Sequence, residues 1–598
     1  MTSWRTVWLL LIAMFLRGAD ASRAADPAKV LHVSFPVDVT GFDPQAVSDT
    51  YSSRINRAMF DSLLQYDFLK RPYALAPSTA ESLPEIKDGG RTFVFRLRKG
   101  IYFAADPVFK GKPRELVAED YVYTWKRLLD PQLAAPWNLL VNGKFVGADA
   151  VVAKARASGK FDYDAKIEGL QALDRYTLQV KLVQPDYILI ENMTTTQMAA
   201  VAREVIEAYR DPHTGRAMDR PVGTGAYMLK DWRRGSKITL AANPGYREEY
   251  YPASKDPQEG VAVLANAGKR LPIIGQVEVS IIEESNPRLL AFNSRQIDYL
   301  HLPLDLTTSV LENGALKPEY ARHQITFLRG LEPAFFYTYF NMDDAVVGGY
   351  TPDKIALRRA IAMAYNVPDE IRIIRQGQAI PANQPISPGL LGHDPNAPRM
   401  NAYDPAAARA LLDHFGYKDR DGDGYRELPD GRPLVLVKGS TTDTEGRLFD
   451  EVWKKSMDAI GIKVEFVKQK WPELLKMSQA GKLQMWTVGR NTGVRDGGVN
   501  LEILASKNIA NTMNDARFNL PEYDRLFEQS RLLPDSPERT ALYRKMSDLV
   551  GGYAPLLLGV YRYENLVIYP WVLGFKYNSF MTHPWKFLDI DLARRKAG

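Results

Sequence analysis

The stretch "RTFVFRLRKGIYF", residues 91–103, shows the local pattern on which the fold of this chain rests. Its apolar side chains alternate with polar neighbours, which is the two-residue period of a half-buried strand. The stretch "VAEDYVYTWKRLLDP", residues 117–131, follows with apolar side chains at helical spacing. Glu119 and Asp120 stand in its first turn and Pro131 ends it, as expected for an amphipathic helix. A strand followed by such a helix indicates an α/β protein.

The same two patterns continue along the chain. Period-two alternation predicts further strands, and helical spacing predicts further helices. The predicted strands are 176–182, 237–241 and 276–282, and the predicted helices are 354–365, 404–415 and 446–460. We find neither internal repeats nor low-complexity linkers. A length of 598 residues suggests two to four domains.

Composition indicates a folded, soluble protein that does not bind nucleic acid. The chain is 45% hydrophobic and 25% charged, with 30 Tyr and 24 Phe, so it can bury several cores. Its net charge is only +6, and it contains no run of five like charges. Nucleic-acid binding rests on clustered positive charge, which this sequence lacks.

The N-terminus has the features of a cleavable signal peptide, residues 1–21. Arg5 precedes ten apolar residues from Val7 to Leu16, and Ala19-Asp20-Ala21 supplies the small-x-small pattern for cleavage. Cleavage after Ala24 is the alternative. A permanent anchor is disfavoured because a bilayer needs about 20 apolar residues. We therefore expect export of the mature protein.

The chain contains no cysteine. An exported protein without disulfides must be held by its packed cores, and the aromatic and aliphatic content permits this. It also cannot be a lipoprotein, because the acylated cysteine is missing. We expect free residence in the periplasm of a Gram-negative cell.

Signatures of enzymes are missing from the sequence. The seven histidines lie far apart, without an i, i+4 pair for zinc. Neither a G-x-S-x-G elbow nor a G-x-x-x-x-G-K-[ST] phosphate loop occurs, and a thiol nucleophile is excluded. Pairs of acidic residues could serve a glycosidase, but distance along the sequence does not establish their separation. We expect a protein that is not an enzyme.

The stretch "KDRDGDGYRELPDG", residues 418–431, matches part of a calcium-binding loop. The candidate ligands are Asp419, Asp421, Asp423, Glu427 and Asp430. The residues that follow look like a strand rather than the exiting helix of an EF-hand, so a calcium sensor is not expected. Two interpretations stay open: a structural calcium site, or an acidic turn in which Gly422 and Gly424 permit positive φ. Arg420 and Arg426 dilute the negative charge and favour the turn. No other cofactor is expected.

Several segments, in their order along the chain, together resemble the family 5 extracellular solute-binding proteins. These are the periplasmic oligopeptide- and dipeptide-binding receptors of ABC importers. The segments are "FDPQ", "MFDSLLQYD", "LAPSTAESLPEIKDGGRTFVFRLRKGIYF", "AEDYVYTWKRLLDP", "VGTGAYMLKDW", "LRRAIAMAYNVPDEI", "YDPAAARALLDHFGY" and "WKKSMDAIGIKVEFVKQKW". The resemblance covers about residues 30–575.

The resemblance implies the α/β type II periplasmic-binding-protein fold, with two lobes joined by a hinge and an additional third domain. The implied bounds are 27–58, 173–280 and 560–598 for lobe I, 59–172 for the additional domain and 281–559 for lobe II. Such a receptor closes on a ligand that contacts both lobes, and the closed form then meets the permease subunits of an ABC transporter. The expected ligand is a peptide or a related small molecule, and the expected state is a monomer.

The resemblance also implies which residues face the ligand. Peptides are held mainly through their backbone, while side chains enter hydrated pockets. From lobe I the implied residues are Ser48, Asp49, Thr50 and Tyr51. From lobe II they are Ser440, Thr441, Trp471 and the segment "VGRNTGVRDGG", residues 488–498, with Arg490, Asn491 and Asp496.

One departure from the family bears on the ligand. Peptide receptors of this kind hold the α-amine with an aspartate a few residues after a Gly-Trp-type turn, and here Gly493 stands in its place. Asp496 would take this role if the loop bulges, whereas Arg490 suggests that a carboxylate is received. We therefore predict tolerance of a blocked peptide N-terminus. The alternatives are a non-peptide ligand, such as an opine, an oligosaccharide or a metal chelate, and a periplasmic chaperone-like relative.

Overall fold

The computed structural model describes residues 25–254, 256, 259–400, 402–509, 513–581 and 583–597. The predicted signal peptide lies outside the described residues. Within these ranges, no helix has the length and apolar character that a bilayer crossing requires.

The first lobe is built on a four-stranded sheet. Its strands stand in the order Asp26–Phe35, Ile274–Ile281, Lys237–Ala242 and Tyr227–Arg233, with the first pair parallel and the others antiparallel. The helices Thr50–Met59 and Ser285–Asn293 belong to the same lobe. Side chains of the two central strands, such as Val277, Val279 and Leu240, are fully buried in its core.

The additional domain has its own antiparallel sheet and its own core. The strand order is Glu85–Lys87, Thr92–Arg96, Thr177–Lys181 and Leu170–Asp174. The helices Ala118–Leu129 and Ala148–Ser158 cover it, and Trp125 is fully buried against the sheet. The predicted strand 91–103 is regular only over Thr92–Arg96, because the chain then turns at Gly100, whose φ is 75°.

The second lobe contains a five-stranded mixed sheet with a hydrophobic core on each face. Its order is Lys463–Gln469, Val435–Thr441, Met485–Asn491, Ala334–Phe340 and Leu556–Leu558. Burial on both faces accounts for the near-continuous apolar run in Ala334–Phe340. The longer helices of this lobe are Pro352–Ala364, Pro405–His414, Thr444–Asp458, Trp471–Gln479, Pro521–Arg531 and Pro537–Tyr553.

One strand, Val560–Ile568, joins the two lobes. It pairs with Tyr299–His301, Thr326–Leu331 and Ala379–Pro381. Its last residues pack in the first-lobe core, whereas Val560 and Tyr561 pack in the second-lobe cores. This strand and its partners therefore form the hinge.

The remaining elements are short. The paired strands are Leu64–Tyr66 with Leu75–Pro77, Leu311–Glu312 with Ala315–Leu316, and Val572–Leu573 with Asp589–Ile590. The short α-helices are Leu189–Asn192, Arg203–Tyr209, Val261–Leu264, Thr307–Val310, Pro318–Ala321, Val367–Asp369, Gly498–Glu502 and Leu592–Ala597. A π-helix covers Glu370–Ile374, and 3₁₀-helices cover Pro107–Phe109, Asn138–Leu140, Thr196–Met198, Leu304–Leu306, Ser506–Asn508 and Trp585–Phe587.

The α/β class and the predicted helices are confirmed, within one or two residues at the ends of each helix. The lobe boundaries stay predictions. The core packing places Phe292, Tyr299 and Val310 with the first lobe, although they follow the predicted boundary at residue 281. The chain enters the second-lobe sheet only at the strand Ala334–Phe340.

Candidate functional site

The second lobe meets the additional domain, which interrupts the first lobe along the chain, at Arg495 in the segment 488–498. Its Nε donates a hydrogen bond to Glu191 Oε1 at 2.9 Å, and its Nη1 donates to the carbonyl of Tyr73 at 2.8 Å. The Tyr66 hydroxyl accepts the Arg495 backbone N–H and donates to Glu191 Oε2, both at 2.9 Å. Glu191 and Tyr66 are almost fully buried. This contact joins the second lobe to the additional domain and to the segment that follows it.

A second ionic contact joins the same parts of the molecule. Asp186 accepts from Arg531 at 3.0 Å and from Lys144 at 2.8 Å. Burial opposes ionisation of Asp186, but the two cations lower the pKa of its carboxyl below the ordinary value. The three side chains thus form a buried and charge-assisted link between the second lobe and its neighbours.

The predicted first-lobe residues lie at the start of the helix Thr50–Met59. Asp49 caps this helix by accepting the Ser52 N–H at 2.7 Å, and it also accepts from the Thr40 hydroxyl at 2.6 Å. Tyr51 packs on Phe35, with ring centroids 4.8 Å apart. Ser48 and Thr50 are exposed. Asp49 is therefore occupied in the cap, and the role of the four residues toward a ligand stays a prediction.

The contacts of Ser440, Thr441 and Trp471 all lie within the second lobe. Ser440 is buried and accepts a hydrogen bond from Lys468 Nζ at 3.0 Å. Thr441 donates to Asp443, the cap of the following helix, at 2.9 Å. Trp471 is 55% exposed and lies beside Trp486. Of these three residues, only Trp471 presents a large free surface to a ligand.

Arg490 is occupied by partners in its own lobe. It donates to Asp515 at 3.0 Å and to the Met513 carbonyl at 2.9 Å. Burial alone would lower the pKa of its guanidinium, but Tyr337 and Asp515 raise the pKa above the ordinary value. Its charge is compensated, which weakens the expectation that Arg490 receives a ligand carboxylate. Asn491 is exposed at the end of the strand Met485–Asn491.

Asp496 is 1% exposed and faces Arg539. Its carboxylate accepts from the Arg539 guanidinium at 2.5 Å, from the Tyr543 hydroxyl at 2.8 Å and from the Gly498 N–H at 2.8 Å. Gly493, at the position of the family aspartate, is exposed. With three internal donors, Asp496 is committed to the second lobe, and its proposed role as an amine anchor stays a prediction that this arrangement does not favour.

The acidic loop brings four of its five candidate ligands together. One carboxylate oxygen of each of Asp419, Asp421, Asp423 and Glu427 lies within 4.8 Å of the others. Asp430 instead pairs with Arg432 at 2.7 Å. The residues after the loop form the strand Val435–Thr441, as predicted, and not the second helix of an EF-hand. Asp430, at the loop position that supplies a bidentate ligand in an EF-hand, is thus paired with Arg432 instead.

Sequence reasoning missed Glu191, Tyr66 and Tyr73, which contact the second lobe. No motif marks Glu191, because its partner Arg495 is 304 residues further along the chain. Arg495 itself lies inside the predicted segment 488–498, between residues that were singled out. Arg495 stands two residues after Gly493, where the chain departs from the family pattern, and this proximity was the available signal for its role.

The fold and the contact between the lobes define a two-lobed binding protein. The sequence profile of the bacterial extracellular solute-binding proteins, family 5 Middle, matches residues 74–512. The chain belongs to this family, whose members are binding proteins of transporters, and the predicted type II periplasmic-binding-protein fold is confirmed.

Known relatives match over nearly the whole chain. Di/tripeptide-binding protein 2 of Pseudomonas aeruginosa is 25% identical over 567 residues, covering 92% of each chain. Heme-binding protein A of Haemophilus influenzae is 23% identical, covering 92% of this chain and 90% of its own. The solved structure of the periplasmic binding protein DppA from Helicobacter pylori, in complex with the peptide STSA, superposes with a TM-score of 0.69. It is 22% identical and covers 94% of this chain and 98% of its own.

Proposed function

We propose that this protein is the periplasmic receptor of an ABC importer and that it captures peptides between its two lobes. The observation that carries the proposal is the hinge strand Val560–Ile568, which runs from one lobe into the other, together with the contact of Arg495 and Glu191. A ligand that touches both lobes favours the form in which they meet, and that form engages the permease. The receptor performs no chemistry on the ligand.

Peptide is the leading ligand class because the family and several of its named members bind peptides. A receptor of this kind recognises the backbone of the ligand and tolerates many side chains. The exposed loop at Asn491 and Gly493, next to Arg495, is where we place one end of the peptide. Its amine would be only weakly clamped, since Asp496 is held by Arg539.

A non-peptide ligand is the second candidate. The observation that favours it is the same loop, where Gly493 offers no carboxylate and Asp496 is already paired. A relative of similar identity is named for heme binding, so members of this family differ in their ligands. An opine, an oligosaccharide or a metal chelate belongs to this candidate.

The place of action follows from the proposal. Residues 1–21 act as a cleavable signal peptide, and the mature chain begins at Ser22 or Ala25. Because the chain has no cysteine to acylate, we place it free in the periplasm, and the expected state is a monomer. N-terminal sequencing of protein from an osmotic-shock fraction tests this, and an intact Met1 on cytoplasmic protein would contradict it.

The acidic loop at 419–430 is proposed to be a turn rather than a calcium site. The backbone N–H groups of Gly422 and Gly424 are accepted by Asp419, and that of Arg420 is accepted by Glu427. Both glycines adopt positive φ, as the turn requires. The protein then needs no cofactor.

Melting scans with and without candidate ligands test the proposed function. Because a ligand that binds only the folded state raises the midpoint, a pool of di- to pentapeptides should raise it, while opines, sugars and nickel chelates should not. Small-angle scattering at saturating ligand should show a smaller radius of gyration, and an unchanged profile would count against closure about the hinge. A shift with a chelate or an opine alone would establish the second candidate instead, and no shift with any ligand would favour the chaperone-like alternative.

A further inference from the structure

A cavity of about 50 Å³ lies between the C-terminal end of the helix Thr50–Met59 and the residues Met581 and 583–586. It is larger than the space that one water occupies. Polar and charged side chains line a large part of its wall. These include Arg57, Asp61, Ser78, Thr194, His583 and Lys586.

Most charges around this cavity are balanced. Asp61 pairs with Arg247, which also donates to Glu249 at 3.0 Å. Glu249 in turn accepts from Lys586 at 2.8 Å. Two carboxylates thus stand against two cations in one continuous network, and none of these four groups is left to compensate a further charge.

Arg57 is the exception. The hydrogen bond recorded for its guanidinium runs to the Thr194 carbonyl at 3.5 Å. No carboxylate in the described part of the chain is within ion-pair distance of it. Glu191, which accepts a hydrogen bond from Tyr66, is already paired with Arg495. Burial lowers the pKa of the Arg57 guanidinium, and Tyr66 only partly opposes this.

The Arg57 side chain lies in the cavity wall, is partly exposed to solvent and makes no ion pair with the described residues, so its guanidinium is open to an anion that enters from solution. Arg57 has five N–H donors in a planar fork, and the fork matches the two oxygens of a carboxylate. Its neighbours in the wall supply further polar groups, and the cavity has room for a group of a few heavy atoms.

We propose that this cavity is a carboxylate-binding site in which Arg57 holds the two oxygens of the anion. The carboxylate comes either from the captured ligand or from a free small acid. The site is distinct from Arg490, whose charge is compensated by Asp515. Only the first of these two sources rests on the proposed function, because a free acid would bind whether or not peptides do.

The test measures the melting temperature in sodium acetate and in sodium chloride at equal ionic strength. Acetate should raise the midpoint of the wild type in a saturable manner. In Arg57→Gln the apparent affinity for acetate should fall by roughly tenfold or more, the scale of one charge-assisted pair. Arg57→Lys keeps the charge but loses the planar fork, so its apparent affinity for acetate should lie between those of the wild type and Arg57→Gln. Arg96→Gln, the same change at an exposed strand position, is the matched control and should respond like the wild type.

Arg57→Gln should fold, since it removes an uncompensated charge, and its midpoint in chloride should equal or exceed that of the wild type. If it fails to fold, Arg57→Lys carries the comparison. An equal acetate shift in the wild type and in both Arg57 variants would overturn the proposal, as would no acetate shift in the wild type. A phosphate shift larger than that of acetate and lost in the Arg57 variants would overturn the assignment to carboxylates.

Calorimetry separates the two sources. If the ligand brings the carboxylate, amidating the C-terminus of a bound dipeptide weakens binding to the wild type but not to Arg57→Gln, and acetate competes with the dipeptide. If a free acid binds, the amidated and free dipeptides bind alike. An acetate shift that depends on Arg57, in a protein that binds no peptide, would support this site while refuting the proposed peptide function.

Discussion

Replacing Arg495 by Gln should separate the two lobes without unfolding either of them. In the structure, Arg495 supplies the charge that compensates Glu191, which is 3% exposed. When the guanidinium is removed, the Tyr66 hydroxyl is the one donor to this carboxylate that remains among the described residues. Burial already raises the pKa of Glu191, and Arg495 is the first of the groups that oppose this rise. The variant therefore leaves a carboxylate that is buried and poorly paired.

The size of the effect follows from what such a loss costs. Breaking a buried ion pair by removing one partner costs about 3–5 kcal/mol. Separation of the lobes would let water reach Glu191, so the cost falls on the form in which the lobes meet and not on the folding of each lobe. A change of about 3 kcal/mol shifts the ratio of the two forms by roughly 100-fold. The melting temperature should change little, whereas the balance between joined and separated lobes should change greatly.

Small-angle scattering measures this balance through the radius of gyration, which should rise in Arg495→Gln. Arg517→Gln is the matched control, because Arg517 pairs with Asp343 inside the second lobe and at its surface. Adding Glu191→Gln to Arg495→Gln should restore part of the compact form, since neither charge is then buried alone. A scattering profile of Arg495→Gln that matches the wild type, or a double variant that is no more compact than the single one, would refute the reasoning.

Three further outcomes are expected. In calorimetry, N-acetylation of a bound peptide should weaken binding by less than about 2 kcal/mol, because Asp496 is already paired with Arg539. A loss of about 2 kcal/mol or more on acetylation, with the same loss in Asp496→Asn, would instead show an amine clamp. Calcium at about 1 mM should add no more than about 0.4 kcal/mol of stability, the limit for a Kd of about 1 mM or weaker, and a larger melting shift that Asp421→Ala abolishes would establish a calcium site. Burial opposes ionisation of Glu249, yet Lys586 holds the pKa of its carboxyl well below the ordinary value of 4.5. The stability from this pair is therefore present above pH 4.5 and lost as the pH falls below it. Urea unfolding from pH 6 to pH 3 should show this loss, and Glu249→Gln should reduce it; an unchanged slope in that variant would count against the pair.

Local periodicity was enough to predict many of the helices and strands. The helix Ala118–Leu129 was expected from one face of apolar residues, acidic residues in the first turn and Pro131 after its end. The strand Val435–Thr441 was expected after the acidic loop, and this was sufficient to exclude an EF-hand. Such features depend on neighbours a few residues away, so the sequence carries them directly. The order of the quoted segments added the resemblance to the family and, through it, the two-lobed fold.

The partners of the charged residues were decided by tertiary structure. By sequence, Arg490 and Asp496 were both candidates for holding the ends of a ligand, but packing pairs Arg490 with Asp515 and Asp496 with Arg539. Arg495, between them, reaches Glu191 across 304 residues. No sequence motif marks Arg57, yet the fold places it in a cavity wall, partly exposed and without a counter-ion in the described part of the chain. The sequence by itself determined the elements and the family, because these depend on local pattern. Which charges are compensated depends on groups that are distant in the chain and become neighbours only when the cores pack, so only the tertiary structure decided it.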